Sequence, residues 1–325
     1  MSTQTINMNN VTQVNFNTYT NDEVLEVKLN STTIWQKPVD NGAYVTIYSL
    51  DNSEFTMSKY NNTKTWDGTI EYSVNKTSWT TWDGSSGINS SNGKLYLRGT
   101  NNTSFSFPYY NQGLNITSNN TNIEIAVKGN IENLLDYSTV LLSNHPTIGS
   151  SAFKYFFSNW TCLKYANELE LPSTAVPYEG YSNMFNNCSN LVLGPTTLPA
   201  SSVSSNGYLG MFSSCTSLTT PPHINNVLVN SYAFYQMFAG CTSLNTIPAV
   251  GGSCYGDSGY AYMFDGCTNI KLSTNRTGDY TNEYKIPNKG SSATNPFQYM
   301  FRNTGGTFTG TPNAKTTYYT SNTVI

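Results

Sequence analysis

Four cysteines recur at nearly equal spacing in the second half of the chain, and a repeated thiol admits three kinds of chemistry. The set is Cys188, Cys215, Cys241 and Cys267, in which neighbours lie 27 or 26 residues apart. Thiols at a fixed spacing could form disulfides, bind a metal or fill a core. Metal-binding cysteines usually occur as C-x-x-C pairs or together with several histidines. The chain has neither arrangement, so we expect no metal site and no cofactor.

The residues that could catalyse a reaction are few. An enzyme needs an acid, a base or a nucleophile with supporting groups. The two histidines, His145 and His223, each adjoin a proline in a sequence typical of turns, and no motif joins them to a nucleophile. The stretch GSCYG, residues 252–256, matches a nucleophile elbow around Cys254, but an elbow lies between a strand and a helix. A turn-rich sequence follows GSCYG, so we interpret it as a loop and expect no enzyme.

Two pairs of residues admit a binding role, and a simpler interpretation is favoured for each. Trp79 and Trp82 could form a platform for a sugar, but large aromatic side chains dominate cores, which favours packing for one or both. Asp257 and Asp279 could meet a calcium ion in a loop, but no EF-hand run of ligands is present. We expect these aspartates to be solvated turn residues. The sequence leaves the residues that bind a partner undefined.

The four cysteines belong to a longer motif that occurs six times. Its copies, aligned on a Met-Phe pair, start at Phe156, Met184, Met211, Met237, Met263 and Met300. Each copy has an aromatic residue three positions earlier and a small or turn residue before that. The intervals are 28, 27, 26, 26 and 37 residues, and a period of about 20–29 residues is typical of leucine-rich repeats. The long interval predicts an insertion within residues 271–290.

Stacked coils share a core that one coil cannot form alone. We therefore expect the aromatic, Met, Phe, Cys and Leu positions of each copy to point inward. Neighbouring coils lie about 4.8 Å apart, within the Cα separation of about 4.4–6.8 Å that a disulfide spans. Each inner cysteine, however, has two equivalent neighbours, and the terminal copies have Trp160 and Thr304 instead, as expected of caps. Core packing is favoured over disulfides, and Cys162 and Cys254 lie outside the register.

The region before the motif has a different pattern. Short alternating runs separated by turn residues predict antiparallel strands at residues 43–50, 69–74, 94–99, 104–107 and 122–127. Farther upstream, the pattern V-x-x-V-x-Φ-N, in which Φ is Phe16 or Leu29, occurs at residues 11–17 and again at 24–30. This repeat indicates a smaller β unit. The predicted fold is mainly β. It comprises a small attachment unit at 1–40, a β-sandwich at 41–148 and a solenoid of about six coils at 149–325.

The composition excludes several classes of partner. Charged residues make up 11% of the 325-residue chain, against about 25% in an average soluble protein. The 16 Lys and Arg residues form no basic cluster, so we expect no nucleic-acid partner. No run of 18 apolar residues occurs, which argues against membrane insertion. The first 17 residues lack a signal peptide's basic and apolar regions. That absence favours synthesis in a reducing cytosol, where disulfides are rare.

Several stretches resemble a known family. The runs GNIENLLDY (129–137), FKYFFSNWTCLKYANELELPSTAV (153–176) and YSNMFNNCSNLVLGPTTLPA (181–200) resemble BspA-like leucine-rich-repeat proteins. The upstream IEYSVNKTSWTTW and GKLYLRGTNNTSFSF resemble the β domain that often precedes such repeats, so the resemblance covers residues 70–301. The V-x-x-V-x-Φ-N repeat at the start of the chain, with the Ile34-Trp35 pair that follows it, resembles short modules at the start of bacteriophage structural proteins. The family occurs in bacterial surface adhesins and in phage tail or fibre proteins, and it implies binding without catalysis.

Composition and resemblance together predict a non-enzymatic phage virion protein of an exposed tail or fibre appendage, assembled in the host cytoplasm. We expect the N-terminal unit to contact other virion proteins and the repeats to bind a glycan or protein of the host surface. We also expect a homo-oligomer. Two alternatives remain open. One is an adhesin of the bacterial cell surface whose signal peptide is missing from this sequence, and the other is a capsid decoration protein without a host ligand.

Overall fold

The computed structural model describes residues 26–29, 32–36, 44–59, 65–105, 107, 113–225, 227–248, 252–270, 272–273, 282–283, 288–289 and 293–304. The chain divides into two compact units, residues 1–41 and 42–325. The described residues contain twenty strands and one helix, so the predicted mainly β class is confirmed.

The first unit contains a hairpin. Strand β1 (Glu26–Leu29) pairs antiparallel with β2 (Thr32–Gln36), and Val27 lies opposite Trp35. The register shifts by one residue after Val27. β1 lies within the second copy of the N-terminal repeat, while the first copy, residues 11–17, lies outside the described residues.

The second unit begins with two sheets. Its first strands are β3 (Val45–Ser49), β4 (Thr56–Lys59), β5 (Thr69–Ser73), β6 (Thr80–Thr81), β7 (Ile88–Asn89), β8 (Lys94–Thr100), β9 (Leu114–Thr117), β10 (Ile125–Asn130) and β11 (Leu163–Glu170). A six-stranded sheet has the order β11-β10-β3-β8-β5-β6, and a three-stranded sheet has the order β7-β4-β9. Neighbours are antiparallel except β10 and β11, which are parallel. The parallel partner β11 belongs to the first copy of the motif, so this sheet includes residues on both sides of position 148. The predicted domain boundary between residues 148 and 149 stays a prediction.

Most strands predicted in this region are present, and one is not. Residues 43–50 and 69–74 contain β3 and β5, the run at 94–99 is extended by one residue in β8, and the run at 122–127 is shifted to β10. Among the described residues of 104–107 there is no strand. Phe105 and Phe107 are instead buried in the core, so alternating aromatics here reflect packing from an irregular segment.

Helix α1 (Asn133–Leu141) was not predicted, and it packs against β8. Gly99 makes this approach possible, because a Cβ there would lie 1.7 Å from the carbonyl oxygen of Leu134. The buried side chain of Asn102, just after β8, joins α1 to the neighbouring strand β5. Its Nδ2 donates to the carbonyls of Thr69 (2.8 Å) and Leu134 (3.0 Å). The helix is kinked at Asp136, whose φ and ψ of −154° and 99° are not helical. A kinked helix of nine residues is marginal alone, so these tertiary contacts account for its formation.

Each copy of the motif contains a chain of consecutive turns, which we call the turn ribbon and define in the second copy as residues 179–188. Alternate amides of the ribbon donate to the next copy: Tyr181 to Gly207 (2.9 Å) and Phe185 to Met211 (2.9 Å). The amides between them close turns within the ribbon, as in Met184 to Tyr181 (3.2 Å). The same pattern repeats at every step between copies, so each ribbon is hydrogen-bonded along its length to its neighbour.

Every fourth residue of a ribbon has a left-handed backbone. In the second copy these are Glu179, Asn183 and Asn187, with φ of 55°, 54° and 59°. The equivalent positions of the other five copies also have positive φ. Such values are uncommon for residues other than glycine, asparagine and aspartate. Nine of the eighteen positions are Gly or Asn, and the same conformation recurs where Ser, Tyr, Glu or Gln stands, so local preference alone does not account for it.

Short parallel strands follow the ribbons. One sheet has the order β12 (Ala175–Val176), β14 (Ser202–Val203), β16 (Val227–Val229), β17 (Gly252–Cys254), β20 (Asn288–Lys289). Two further parallel pairs are β13 (Thr197–Leu198) with β15 (His223–Ile224), and β18 (Leu272–Ser273) with β19 (Asn282–Glu283). Strands β18 to β20 lie in the predicted insertion, whose remaining residues are outside the described part. Because His223 begins β15, its assignment to a turn was wrong.

Continuous ladders of side chains fill the space between ribbons and strands. The phenyl rings of Phe157, Phe185, Phe212, Phe238, Phe264 and Phe301 stack with centroids 5.2–5.5 Å apart. A second ladder joins the aromatic residues three positions before each Met-Phe pair, at 5.1–5.8 Å. These separations suit offset stacking. The described Met, Cys and Leu positions are also buried, so the predicted inward register is confirmed.

The ladder cysteines are free and fully buried, which confirms their packing role. Each thiol also donates a hydrogen bond to the preceding ribbon, as in Cys188 to the Phe157 carbonyl and Cys215 to the Phe185 carbonyl, both at 3.1 Å. Cys254 belongs to another ladder, because it pairs with Val229, which in turn pairs with Val203. Cys254, which lies outside the register of the four ladder cysteines, therefore takes the place that valine occupies in the two preceding strands.

Replacing Cys215 with alanine should lower the free energy of unfolding by about 1–2 kcal/mol, since it leaves a small cavity and removes the bond to Phe185. Urea denaturation measures the change. Cys162→Ala is the control, because Cys162 is only partly buried and should cost less. An equal loss in both variants would contradict the role assigned to the ladder thiol.

Candidate functional site

The two tryptophans proposed as a platform have different environments. Trp82 is buried 5.0 Å from Trp66, and its indole N–H donates to the carbonyl of Ser86 at 2.8 Å. Trp79 is partly exposed, and the guanidinium of Arg98 lies 4.1 Å from its ring. The packing interpretation is confirmed for Trp82, so the pair does not form a joint platform.

Cys254 is placed unfavourably for nucleophilic attack. It is fully buried, and burial raises the pKa of its thiol to about 11. The thiolate is the reactive form of cysteine, and little of it exists at neutral pH with this pKa. The first three residues of GSCYG form β17 rather than the predicted loop, and a turn ribbon follows where a nucleophile elbow needs a helix.

The proposed calcium ligands do not come together in the described structure. Asp257 is exposed and accepts the backbone N–H of Thr294 at 2.6 Å, while Asp279 lies outside the described residues. Among the residues that the structure describes, no group of three or more His, Cys, Asp and Glu side chains could hold a metal ion. Within the same ranges, no helix has the length and hydrophobicity needed to cross a membrane.

A row of tyrosines, two exposed and two half-buried, is the first candidate binding surface. The tyrosine row consists of Tyr232, Tyr235, Tyr262 and Tyr299, whose successive ring centroids lie 5.4, 5.4 and 5.2 Å apart. Three of them occupy left-handed ribbon positions. Tyr232 and Tyr299 are 42% and 37% exposed, and Tyr235 and Tyr262 are half-buried. The stacked ribbons thus place aromatic rings from three successive copies side by side at the surface.

An ion pair holds one end of the tyrosine row. The Arg302 guanidinium lies 4.9 Å from the centroid of Tyr262 and 5.3 Å from that of Tyr299. Its Nε donates to Asp265 Oδ1 at 3.0 Å, and its Nη2 donates to Asp265 Oδ2. The hydrogen bonds to Asp265 raise the pKa of Arg302. Because the pair is compensated in charge, the surface offers rings and hydrogen-bonding groups rather than a strong field.

The tyrosine row is suited to binding rather than to chemistry. Tyrosine provides a large contact area at low entropic cost together with a polar hydroxyl. The sequence analysis missed these residues because they lie outside the core consensus. The signal available was the presence of tyrosines near the Met-Phe pairs of the last three copies. Comparisons with family models, curated proteins and solved structures found no match, so the site is interpreted from its own geometry.

A second candidate is a buried carboxylate beside an exposed imidazole. The side chain of Glu132 is 1% exposed, and its Oε2 lies 2.7 Å from His145 Nδ1, on a side chain that is 62% exposed. Burial raises the pKa of Glu132, an effect that the hydrogen bond and charge of His145 oppose. The sequence singled out His145 but not Glu132, because nothing in GNIENLLDY indicates that this glutamate is buried.

The buried thiols should react slowly with Ellman's reagent in the native protein at pH 8, because burial excludes the reagent and raises the pKa values of Cys254 and Cys267 to about 11 and 12. All six cysteines should react in denaturant. Rapid native labelling that disappears in Cys254→Ser would show that Cys254 is accessible and would contradict its assignment to the core.

Glu132→Gln should weaken the decline in stability as pH rises above 4.5, the ordinary pKa of glutamate. Because the pKa of Glu132 is raised in the folded state, the folded chain retains a proton that the unfolded chain releases. Between the two pKa values stability therefore falls with increasing pH. Urea unfolding between pH 4 and 7 measures the slope. The exposed Glu170→Gln is the control, and an unchanged slope in Glu132→Gln would disprove the assignment.

Proposed function

We propose that this chain is a non-enzymatic structural protein of a bacteriophage virion, part of an exposed tail or fibre appendage that adheres to the host cell surface. In this proposal residues 1–40 form a β attachment unit, residues 41–148 a β-sandwich, and residues 149–325 a BspA-like leucine-rich-repeat solenoid of about six coils. The chain uses no cofactor and catalyses no reaction.

The contacts between copies of the motif support the solenoid. Hydrogen bonds join residues 25 to 27 positions apart along the first four steps, as from Tyr155 to Ser182 and from Gln236 to Ala261. Parallel strands and aromatic ladders advance by the same step. An array in which each copy contacts its neighbours is the arrangement that defines solenoid proteins.

The tyrosine row is the observation that carries the adhesive role. Four neighbouring rings on one surface resemble the composition of binding sites that rely on tyrosine for contact area. The low charge of the chain, 11% of its residues, favours recognition of a glycan or protein by contact rather than by electrostatic attraction. Virion placement is supported by the resemblance of the N-terminal repeat to phage modules.

The proposal assigns a different partner to each end of the chain. The N-terminal unit, which is compact by itself, binds other virion proteins, and the repeats bind the host surface. The protein is a homo-oligomer, assembled in the host cytoplasm as part of the particle. The alternatives are a bacterial surface adhesin and a capsid decoration protein without a host ligand.

Immunogold microscopy with an antibody to this chain distinguishes these locations. Purified phage particles and uninfected cells of the host bacterium are labelled side by side. Gold at the tail or its fibres is the expected result. Gold over the head would favour decoration, and gold on uninfected cells alone would replace the virion proposal with the bacterial adhesin.

Substitution of two central tyrosines tests the adhesive surface. Tyr235→Ser combined with Tyr262→Ser should weaken binding of the purified, fluorescently labelled protein to host cells by at least about tenfold, since central tyrosines often dominate interface energies. Flow cytometry over a concentration series measures binding, and circular dichroism checks the fold. Tyr178→Ser is the control, because Tyr178 is 49% exposed and outside the row. Equal binding by the double variant and the wild type would refute the role of the row.

A further inference from the structure

A groove outside the tyrosine row contains the Glu132–His145 pair. It lies where the segment after α1 meets β12 and the chain around β14, and its volume is about 370 Å³. Small-molecule sites usually have volumes of about 300–1,000 Å³ and combine apolar walls with a few converging polar groups. The groove is therefore large enough for a small ligand.

Glu132 is the polar group whose environment most needs explanation. One carboxylate oxygen, Oε2, is paired with His145, but the other, Oε1, is buried without a hydrogen-bond partner. The hydroxyl of Tyr181 is likewise buried and unpartnered. Burial raises the pKa of Tyr181, and the nearby Tyr208 and Glu132 raise it further. A buried acceptor left unpaired is costly, so a hydrogen-bond donor supplied from the groove would stabilise this site.

His145 is held in a defined orientation at the surface. The contact of its Nδ1 with Glu132 constrains the ring, and Nε2 is then the nitrogen available to a ligand. A carboxylate that orients an imidazole in this way is a common feature of functional histidines. The exposure of the His145 side chain, 62%, leaves it accessible.

The remaining lining combines apolar surface with hydroxyl groups. The apolar part comes from Pro146, Ile148, Val176 and Pro177, and hydroxyls come from Thr174, Ser202 and Ser204. We propose that this groove binds one sugar residue, whose hydroxyls bond to the Glu132–His145 pair and the rim hydroxyls while its C–H face packs on the apolar wall. This site is separate from the tyrosine row and does not depend on the adhesive role proposed for it.

The charges of the groove favour a neutral polyol over an ion. Glu132 and His145 are the ionisable residues of the lining, and their mutual contact partly compensates any charge that they carry. Among the described residues of the lining there is no arginine or lysine to bind an anion. A cation would have one carboxylate, already shared with an imidazole, whereas divalent metals take several protein ligands. The hydroxyl groups of a sugar can donate to the unpaired oxygen of Glu132. They can also donate to and accept from the hydroxyl groups of the rim.

Saturation-transfer difference NMR on the full chain tests the proposal. The probes are D-glucose, D-galactose, D-mannose and N-acetyl-D-glucosamine, each also as its methyl glycoside, because a residue within a glycan has no free anomeric hydroxyl. We expect signals from at least one probe. His145→Ala and Glu132→Gln should each weaken its binding by about tenfold, the usual effect of losing a hydrogen bond to a charged group.

Two controls keep the result interpretable. His223→Ala removes the other histidine, which is exposed in β15, and should leave binding unchanged. His145→Ala replaces an exposed side chain, so it remains informative even if Glu132→Gln folds poorly. Absence of signal from every probe would overturn the proposal, as would equal signals from wild type and His145→Ala.

Discussion

The hydrogen bonds that cross from one turn ribbon to the next are the constraint on which the repeats of this protein depend. Alternate amides point along the stack and the others close turns within their own ribbon, so the backbone is paired without forming a helix or a regular strand. This pattern requires a left-handed residue at every fourth position. A crossing bond contributes about 1 kcal/mol, and a left-handed residue with a side chain costs about 1–2 kcal/mol. These two terms are of similar size and opposite sign, so the ribbon also depends on burial of the aromatic ladders to offset the conformational entropy lost on folding.

The same constraint explains why the core positions vary so little. Once the ribbon is in register, the residues at fixed offsets from the Met-Phe pair must face their equivalents in the next copy. Planar rings stack well when equivalent residues of successive copies lie side by side, as in Phe212 and Phe238, whose planes differ by 2°. Cysteine fits where the space is small and where a weak donor can meet a carbonyl of the preceding ribbon. A chain can repeat a cysteine for packing alone.

Outward positions are free of this constraint, and the two candidate sites use them differently. The tyrosine row takes residues from equivalent or nearly equivalent places in successive ribbons, so regular stacking brings distant residues to within ring contact. The groove around Glu132 lies where the irregular segment after α1 meets the parallel strands. Its polar groups therefore come from parts of the chain that share no repeat, and it has one buried carboxylate rather than a row of similar side chains.

The sequence by itself determined the mainly β class, the register of the motif and the inward side chains, because a repeated spacing repeats the same contacts. It also favoured packing for the ladder cysteines and for one or both of Trp79 and Trp82, of which the structure buries Trp82. Only the tertiary structure decided that residues 104–107 form no strand in their described part and that 133–141 form a helix. Those outcomes depend on contacts such as Gly99 with Leu134, which local pattern does not encode. The tyrosine row and the pairing of Glu132 with His145 likewise arise from stacking and burial, since residues that are separate along the chain become neighbours only after it folds.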